Sequence, residues 1–230
     1  MQAKAKYNVK RMDKKMKKNQ KNVCVALCLL LLFVLWTIAV CYVDVRSIGP
    51  NGSSVGFAGL NGFFHRLTGV HMLIYTITDW MGLVPLCIVL GFAMLGLVQL
   101  IKRRSLLKVD SDILVLGGFY IVVMAAYVFF ELFVINYRPV LINGYLEASY
   151  PSSTTLLVLC VMPVAMMQLY GRMKNGKLRT VILVLIGAFT VFMVVGRLVS
   201  GVHWLTDIIG SVLLSGGLVM LYDSICKYVE

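Results

Sequence analysis

The sequence predicts an all-α integral membrane protein, a bundle of six transmembrane helices with both termini in the cytoplasm. Three observations carry this expectation. The 230 residues are 60% hydrophobic and 14% charged, with a mean hydropathy of +0.86, whereas soluble domains carry about 25% charged residues. Several apolar runs approach the ~20 residues a helix needs to cross a bilayer. The 22 Lys and Arg are also distributed unevenly along the chain, as membrane topology requires. The net charge of +12 is therefore a topology signal, and nucleic acid is not an expected partner.

Residues 1–21 carry nine Lys/Arg against one acid, Asp13. They read as a solvated, disordered cytoplasmic arm that is drawn to anionic membrane lipids. Residues 22–230 make up the six-span membrane domain. Its first span covers residues 23 to about 43. That run is too long for a signal-peptide core and no small-x-small cleavage site follows it, so it reads as a retained anchor. An outer loop of about 44–79 is rich in Gly, Asn and Ser, as in IGPNGSSVG. Within it Leu60, Phe63, Phe64 and Leu67 follow the i, i+3, i+4, i+7 spacing of a short interfacial helix.

Thr78-Asp79 can cap a second span from 80 to about 101. Further spans are expected at about 113–135, 154–170, 180–195 and 208–225. With the arm, the loops 102–112 and 171–179 and the C-terminus placed in the cytoplasm, 18 of the 22 Lys/Arg lie on that side. Only Arg46, Arg66, Arg138 and Arg197 remain outside, against the gradient. The six cysteines lie in or beside apolar runs, with no CxxC pair, and read as small membrane hydrophobes. Among the residues of this chain no metal-ligating constellation is recognisable.

Two outer connections hold the chemistry. Residues 136–155 read NYRPVLINGYLEASYPSSTT. Arg138-Pro139 is expected to end the third span, because the residue before a proline is pushed out of helical geometry. Ser152, Ser153 and Thr154 then open the fourth span, where hydroxyls and free backbone N–H groups form an anion site. Residues 196–207 read GRLVSGVHWLTD. His203 and Asp207 are spaced i, i+4, so the carboxylate can fix the imidazole tautomer, while Gly201 breaks the helix between Arg197 and His203. Two guanidiniums, a helix N-terminus and an oriented imidazole suit a phosphate dianion. A structural reading also accounts for each residue singly: arginines as headgroup anchors, Ser152 and Asp207 as helix caps, His203 and Trp204 in the membrane interface.

The order Arg-Pro, then Pro-Ser-x-x-Thr, then Arg-x5-His-x3-Asp resembles the type-2 phosphatidic acid phosphatase superfamily, which includes lipid phosphate phosphatases and vanadium haloperoxidases. The resemblance covers roughly residues 80–225. It implies a bundle of the lipid phosphate phosphatase type in the cell membrane, its active site on the outer face. It further implies that His203 forms a phosphohistidine, that Asp207 orients it, and that Arg138, Ser152 and Arg197 hold the phosphate. No cofactor and no metal are implied.

Three positions depart from the family pattern. Glu131 stands where the first motif has lysine, Thr154 where the second has its general-acid histidine, and Gly196 where the third has serine. General acid–base help contributes about 10²- to 10⁴-fold in rate, so a poor leaving group suffers most from the change at 154. The expected substrate is therefore a lipid diphosphate such as undecaprenyl diphosphate, in preference to phosphatidic acid. Glu131, two turns below Arg138 if both were on one helix, and Thr154 are the candidate proton donors. A phosphotransferase using the same histidine, and a catalytically weak relative that binds lipid headgroups, are the alternative readings.

Overall fold

A computed structural model describes the backbone of residues 2–229 and the side chains of residues 16–229. Among the described residues eight α-helices follow one another: α1 (Gln2–Tyr42), α2 (Ala58–Thr68), α3 (Met72–Met81), α4 (Leu83–Arg103), α5 (Ser111–Leu132), α6 (Ser153–Arg172), α7 (Gly176–Val199) and α8 (Leu205–Val229). With α3 and α4 counted as one run, Met72–Arg103, six helices among the described residues are long and apolar enough to cross a membrane. The protein is an all-α, multi-pass membrane protein. Its lipid-facing character follows from the many large apolar side chains left exposed, such as Leu31, Leu90, Ile121 and Val184.

The helix limits differ from the sequence expectation where packing overrides hydropathy. The basic segment is not a disordered arm: α1 runs unbroken from Gln2 through the first span. The side chains of residues 1–15, expected to meet anionic lipid, lie outside the described residues. The second span begins eight residues before position 80, at Met72. Thr78 and Asp79 therefore sit inside α3 and cap nothing; the Thr78 hydroxyl donates to the Ile74 and Tyr75 carbonyls at 2.9 and 3.0 Å. The run breaks at Gly82 and restarts in α4, where Pro85 lacks the N–H that would continue the ladder. The third span ends at Leu132, well before Arg138-Pro139.

The centre of the bundle is α6 and α8. Half of each span is buried, against 6–22% for the others. Helix α1 lies along α8: Asn19 Nδ2 donates to the Ser224 carbonyl at 3.1 Å, and Trp36 Nε1 donates to the Thr206 carbonyl at 3.1 Å. Gly217 permits the approach, since a Cβ there would sit 2.7 Å from the Leu30 side chain. Helix α2 forms where the periodicity placed it. It docks on the start of α8 through Asn61, whose amide donates to Thr206 Oγ1 at 2.9 Å and accepts from the Thr206 N–H at 3.2 Å. Leu60, Phe63 and Leu67 face outward. Among the described residues none of the six cysteines forms a disulfide.

Candidate active site

Between α5 and α6 the chain forms a β-hairpin, and this hairpin delivers half of the site. Asn143 and Gly144 both have positive φ, 50° and 85°, the geometry of a two-residue I′ turn. Ile142 pairs with Tyr145 at the tip and Tyr137 with Ala148 at the base. The Arg138 N–H donates to the Glu147 carbonyl at 3.0 Å, and the Ser149 N–H to the Asn136 carbonyl at 2.9 Å. Arg138 and Ser149 are thus held on neighbouring rungs of one ladder.

The other half comes from the α7–α8 connection. Arg197 lies in the last turn of α7, which ends at Val199, and Gly201 takes φ +69° in the turn that follows. Only glycine fits there, because a Cβ would lie 1.9 Å from the Gly69 carbonyl oxygen. Asp207 is the third residue of α8, and its Oδ2 accepts from the Trp204 N–H at 2.8 Å, closing the first turn as a capping-box acid does. The Trp204 indole donates to the Tyr137 carbonyl at 2.8 Å and so ties this turn to the hairpin.

Four sequence-predicted residues meet at this end of the bundle: Arg138, Arg197, His203 and Asp207. All are buried, with Arg138 8%, Arg197 1%, His203 3% and Asp207 0% exposed. The guanidiniums share the ring of Tyr75, at 5.7 Å for Arg138 and 5.0 Å for Arg197, within cation–π range. Arg138 Nε lies 3.2 Å from Glu147 Oε2 without hydrogen-bond geometry. Arg197 Nη1 reaches Asp79 Oδ1 at 3.4 Å and Thr78 Oγ1 at 3.5 Å. Among the described residues Arg138 Nη1, Arg197 Nε and His203 Nε2 are buried and find no hydrogen-bond partner.

His203 Nδ1 and Asp207 Oδ2 are 3.7 Å apart, too far for a hydrogen bond. Ser149 Oγ lies between them, 3.1 Å from Nδ1 and donating to Oδ2. Burial, then the charges of Arg138 and Arg197, hold the imidazole well below its ordinary pKa, and a hydrogen bond with the Ser149 backbone opposes them. His203 is therefore a neutral imidazole at pH 7.

A cleft of about 630 Å³ adjoins these residues. Arg138, Arg197, Glu131, Ser153 and Thr154 line its polar side, together with Tyr75, Asp79 and Glu147. Leu83, Leu86, Val123, Met124 and Leu157 line the rest. Ser152 is fully buried behind it, its hydroxyl 3.0 Å from Thr155 Oγ1 and making no cap to its own helix. Glu131 is exposed in the last turn of α5 and makes no hydrogen bond or ion pair among the described residues. Since Arg138 lies on the hairpin, Glu131 and Arg138 do not share a helical face; they meet in the cleft. Buried guanidiniums beside a helix N-terminus can hold an anion that has several acceptor oxygens.

Sequence reasoning missed Ser149, Tyr75, Asp79 and Glu147. Asn143-Gly144 was a readable hairpin signal. The register was not readable, because the arm before the turn has four residues between tip and base pairs, 138–141, and the arm after it two, 146–147.

Comparison with known proteins finds no significant relative among curated sequences. The fold is similar to the crystal structure of a transmembrane PAP2 type phosphatidylglycerolphosphate phosphatase from Bacillus subtilis, at a TM-score of 0.63 and 16% identity over 89% of this chain and 97% of that one. The sequence model of the PAP2 superfamily matches residues 115–227, the stretch that holds α5 to α8, the hairpin and the α7–α8 turn. The chain belongs to the PAP2 superfamily, the superfamily of the lipid phosphate phosphatases.

Proposed function

We propose that this protein removes phosphate from a lipid phosphate or diphosphate through a phosphohistidine formed on His203. The observation that carries the reading is the meeting of two buried arginines and a buried neutral histidine, each with an unpartnered nitrogen: Arg138 Nη1, Arg197 Nε and His203 Nε2. Buried polar groups are almost always hydrogen-bonded. A phosphate group offers acceptors to both guanidiniums and presents phosphorus to the imidazole lone pair. The N–H groups at the start of α6, with Ser152 and Ser153, add to its hold on the anion. The apolar wall of the cleft suits a hydrocarbon chain.

In the proposed reaction His203 Nε2 attacks phosphorus, the bond from phosphorus to the lipid-side oxygen breaks, and that oxygen leaves with the electron pair. Water then attacks phosphorus, the P–N bond breaks with its electron pair returning to Nε2, and inorganic phosphate is released. The departing oxygen of a monoester needs a proton, and Glu131 and Thr154 are the candidate donors among the groups that line the cleft. A diphosphate lipid expels a phosphate that is stable as an anion. Prenyl diphosphates such as undecaprenyl diphosphate are therefore preferred over phosphatidic acid.

The charge gradient supports N-in, C-in insertion, since 18 of 22 Lys/Arg fall on the side of the termini. The site then faces out of the cell. On that insertion the basic segment of α1 lies at the cytoplasmic surface, beside anionic lipid.

The test is phosphate release by purified protein from phosphatidic acid, phosphatidylglycerolphosphate and undecaprenyl diphosphate. Wild type releases phosphate, fastest from the diphosphate, and His203→Ala loses roughly 10³-fold or more. Equal rates in the two proteins contradict the reading. A wild type that releases nothing from any lipid turns the assignment towards a transferase or a headgroup-binding protein.

A further inference from the structure

We infer that Ser149 is a positioning residue whose hydroxyl couples Asp207 to His203 and decides which ring nitrogen carries the proton. The inference rests on the reading of His203 as nucleophile and adds a residue that the motif spacing did not supply.

Direct contact between acid and base is absent, since Asp207 Oδ2 and His203 Nδ1 are 3.7 Å apart. Ser149 Oγ bridges them, at 3.1 Å from Nδ1 and hydrogen-bonded to Oδ2. Ser149 is 2% exposed, His203 3% and Asp207 0%, so water does not compete for these bonds. A serine hydroxyl has one proton to donate. Here it goes to the carboxylate, and towards the imidazole the oxygen can only accept. Nδ1 must then be the protonated nitrogen, which leaves the lone pair on Nε2, the atom without a partner.

The bridge is fixed at both ends. Asp207 is anchored by the Trp204 N–H at 2.8 Å, and Ser149 by its own N–H on the Asn136 carbonyl at 2.9 Å. That second bond places the hydroxyl on the hairpin that carries Arg138. The phosphate-facing guanidinium and the tautomer lock are therefore positioned by one piece of backbone. A hydroxyl in this place also keeps the carboxyl group one step away from the ring. Orientation is retained while the imidazole stays neutral, the form that attacks phosphorus.

The test uses full-length protein with 15N-labelled histidine. There are three histidines, and the signals lost in His203→Ala assign that ring. The expected spectrum of wild type at neutral pH has Nδ1 protonated and Nε2 bare. In Ser149→Ala the ring populates the Nε2-protonated tautomer, and kcat for phosphate release falls roughly 10- to 100-fold, the size of one lost buried hydrogen bond, with KM within about twofold. Ser149→Thr, which keeps the hydroxyl, restores tautomer and rate and shows that the loss is not one of folding. An unchanged tautomer and rate in Ser149→Ala overturn the inference. Should the tautomer change while His203→Ala releases phosphate at the wild-type rate, the bridge stands and the nucleophile reading falls.

Discussion

At position 203 the protonation of one imidazole joins the chemistry of the site to the stability of the fold. Burial, Arg138 and Arg197 hold His203 neutral in the folded protein, while an unfolded chain charges its histidines near pH ~6.5. Below that pH the unfolded state binds a proton that the folded state does not. This histidine then makes stability fall as the pH drops. The melting temperature of wild type should therefore decrease between about pH 6.5 and 5 more steeply than that of His203→Gln. Parallel curves would show that His203 is not held neutral. His203, Asp207, Arg138 and Arg197 were legible in the sequence because charged and imidazole groups are rare in so apolar a chain. Tyr75, Asp79 and Glu147 were not, because their part in the site is contact across helices and hairpin strands, which no local spacing encodes. Gly196 is explained by such a contact: a Cβ there would lie 2.7 Å from Thr78 Cγ2, so glycine lets α3 close on α7 beneath Arg197.

Among the elements, the hairpin at 136–149 decides most. Proline at 139 suggested a helix running up to the arginine; instead α5 stops at Leu132, and Arg138 belongs to an extended strand whose partner carries Ser149. Ser149 and Arg138 thus depend on the turn at Asn143-Gly144, some distance from the chemistry. Gly144 has φ +85° and open space around its missing Cβ, so the cost of a side chain there is conformational alone. A left-handed β-branched residue costs about 1–2 kcal/mol. Gly144→Val should lower the melting temperature by a few degrees, at ~2–4 °C per kcal/mol for a chain this long, and reduce phosphate release by a larger factor, because it disturbs the ladder that holds Arg138 and Ser149. Full activity in Gly144→Val would mean that the hairpin does not position the site. The helices themselves were read to within a few residues, except where α3 extends the second span and α1 absorbs the basic segment.

For the molecule as a whole, the bilayer makes the helical architecture legible: an apolar chain must satisfy its backbone internally, and helices do so. Which helices lie at the centre is subtler. The two most buried spans, α6 and α8, have the lowest hydropathies, 1.6 and 1.7, against 2.4–3.0 elsewhere. Their polar residues, among them Thr155, Gln168, Ser211 and Ser215, are turned inward, where Ser211 binds the Ser152 carbonyl at 2.9 Å and Gln168 the Tyr222 hydroxyl at 2.6 Å. Low hydropathy in a spanning helix therefore marked the interior, and the α6 N-terminus and the α8 first turn meet there to build the site. At the centre of the arrangement stands His203 as the proposed acceptor of the phosphoryl group. The most direct measurement exposes the protein to a lipid labelled in its terminal phosphate, quenches in alkali and locates the label by peptide mass spectrometry. The expected result is a base-stable, acid-labile phosphate on the peptide containing His203, absent from His203→Ala. Turnover of the lipid by wild type with no phosphate on His203 would contradict it.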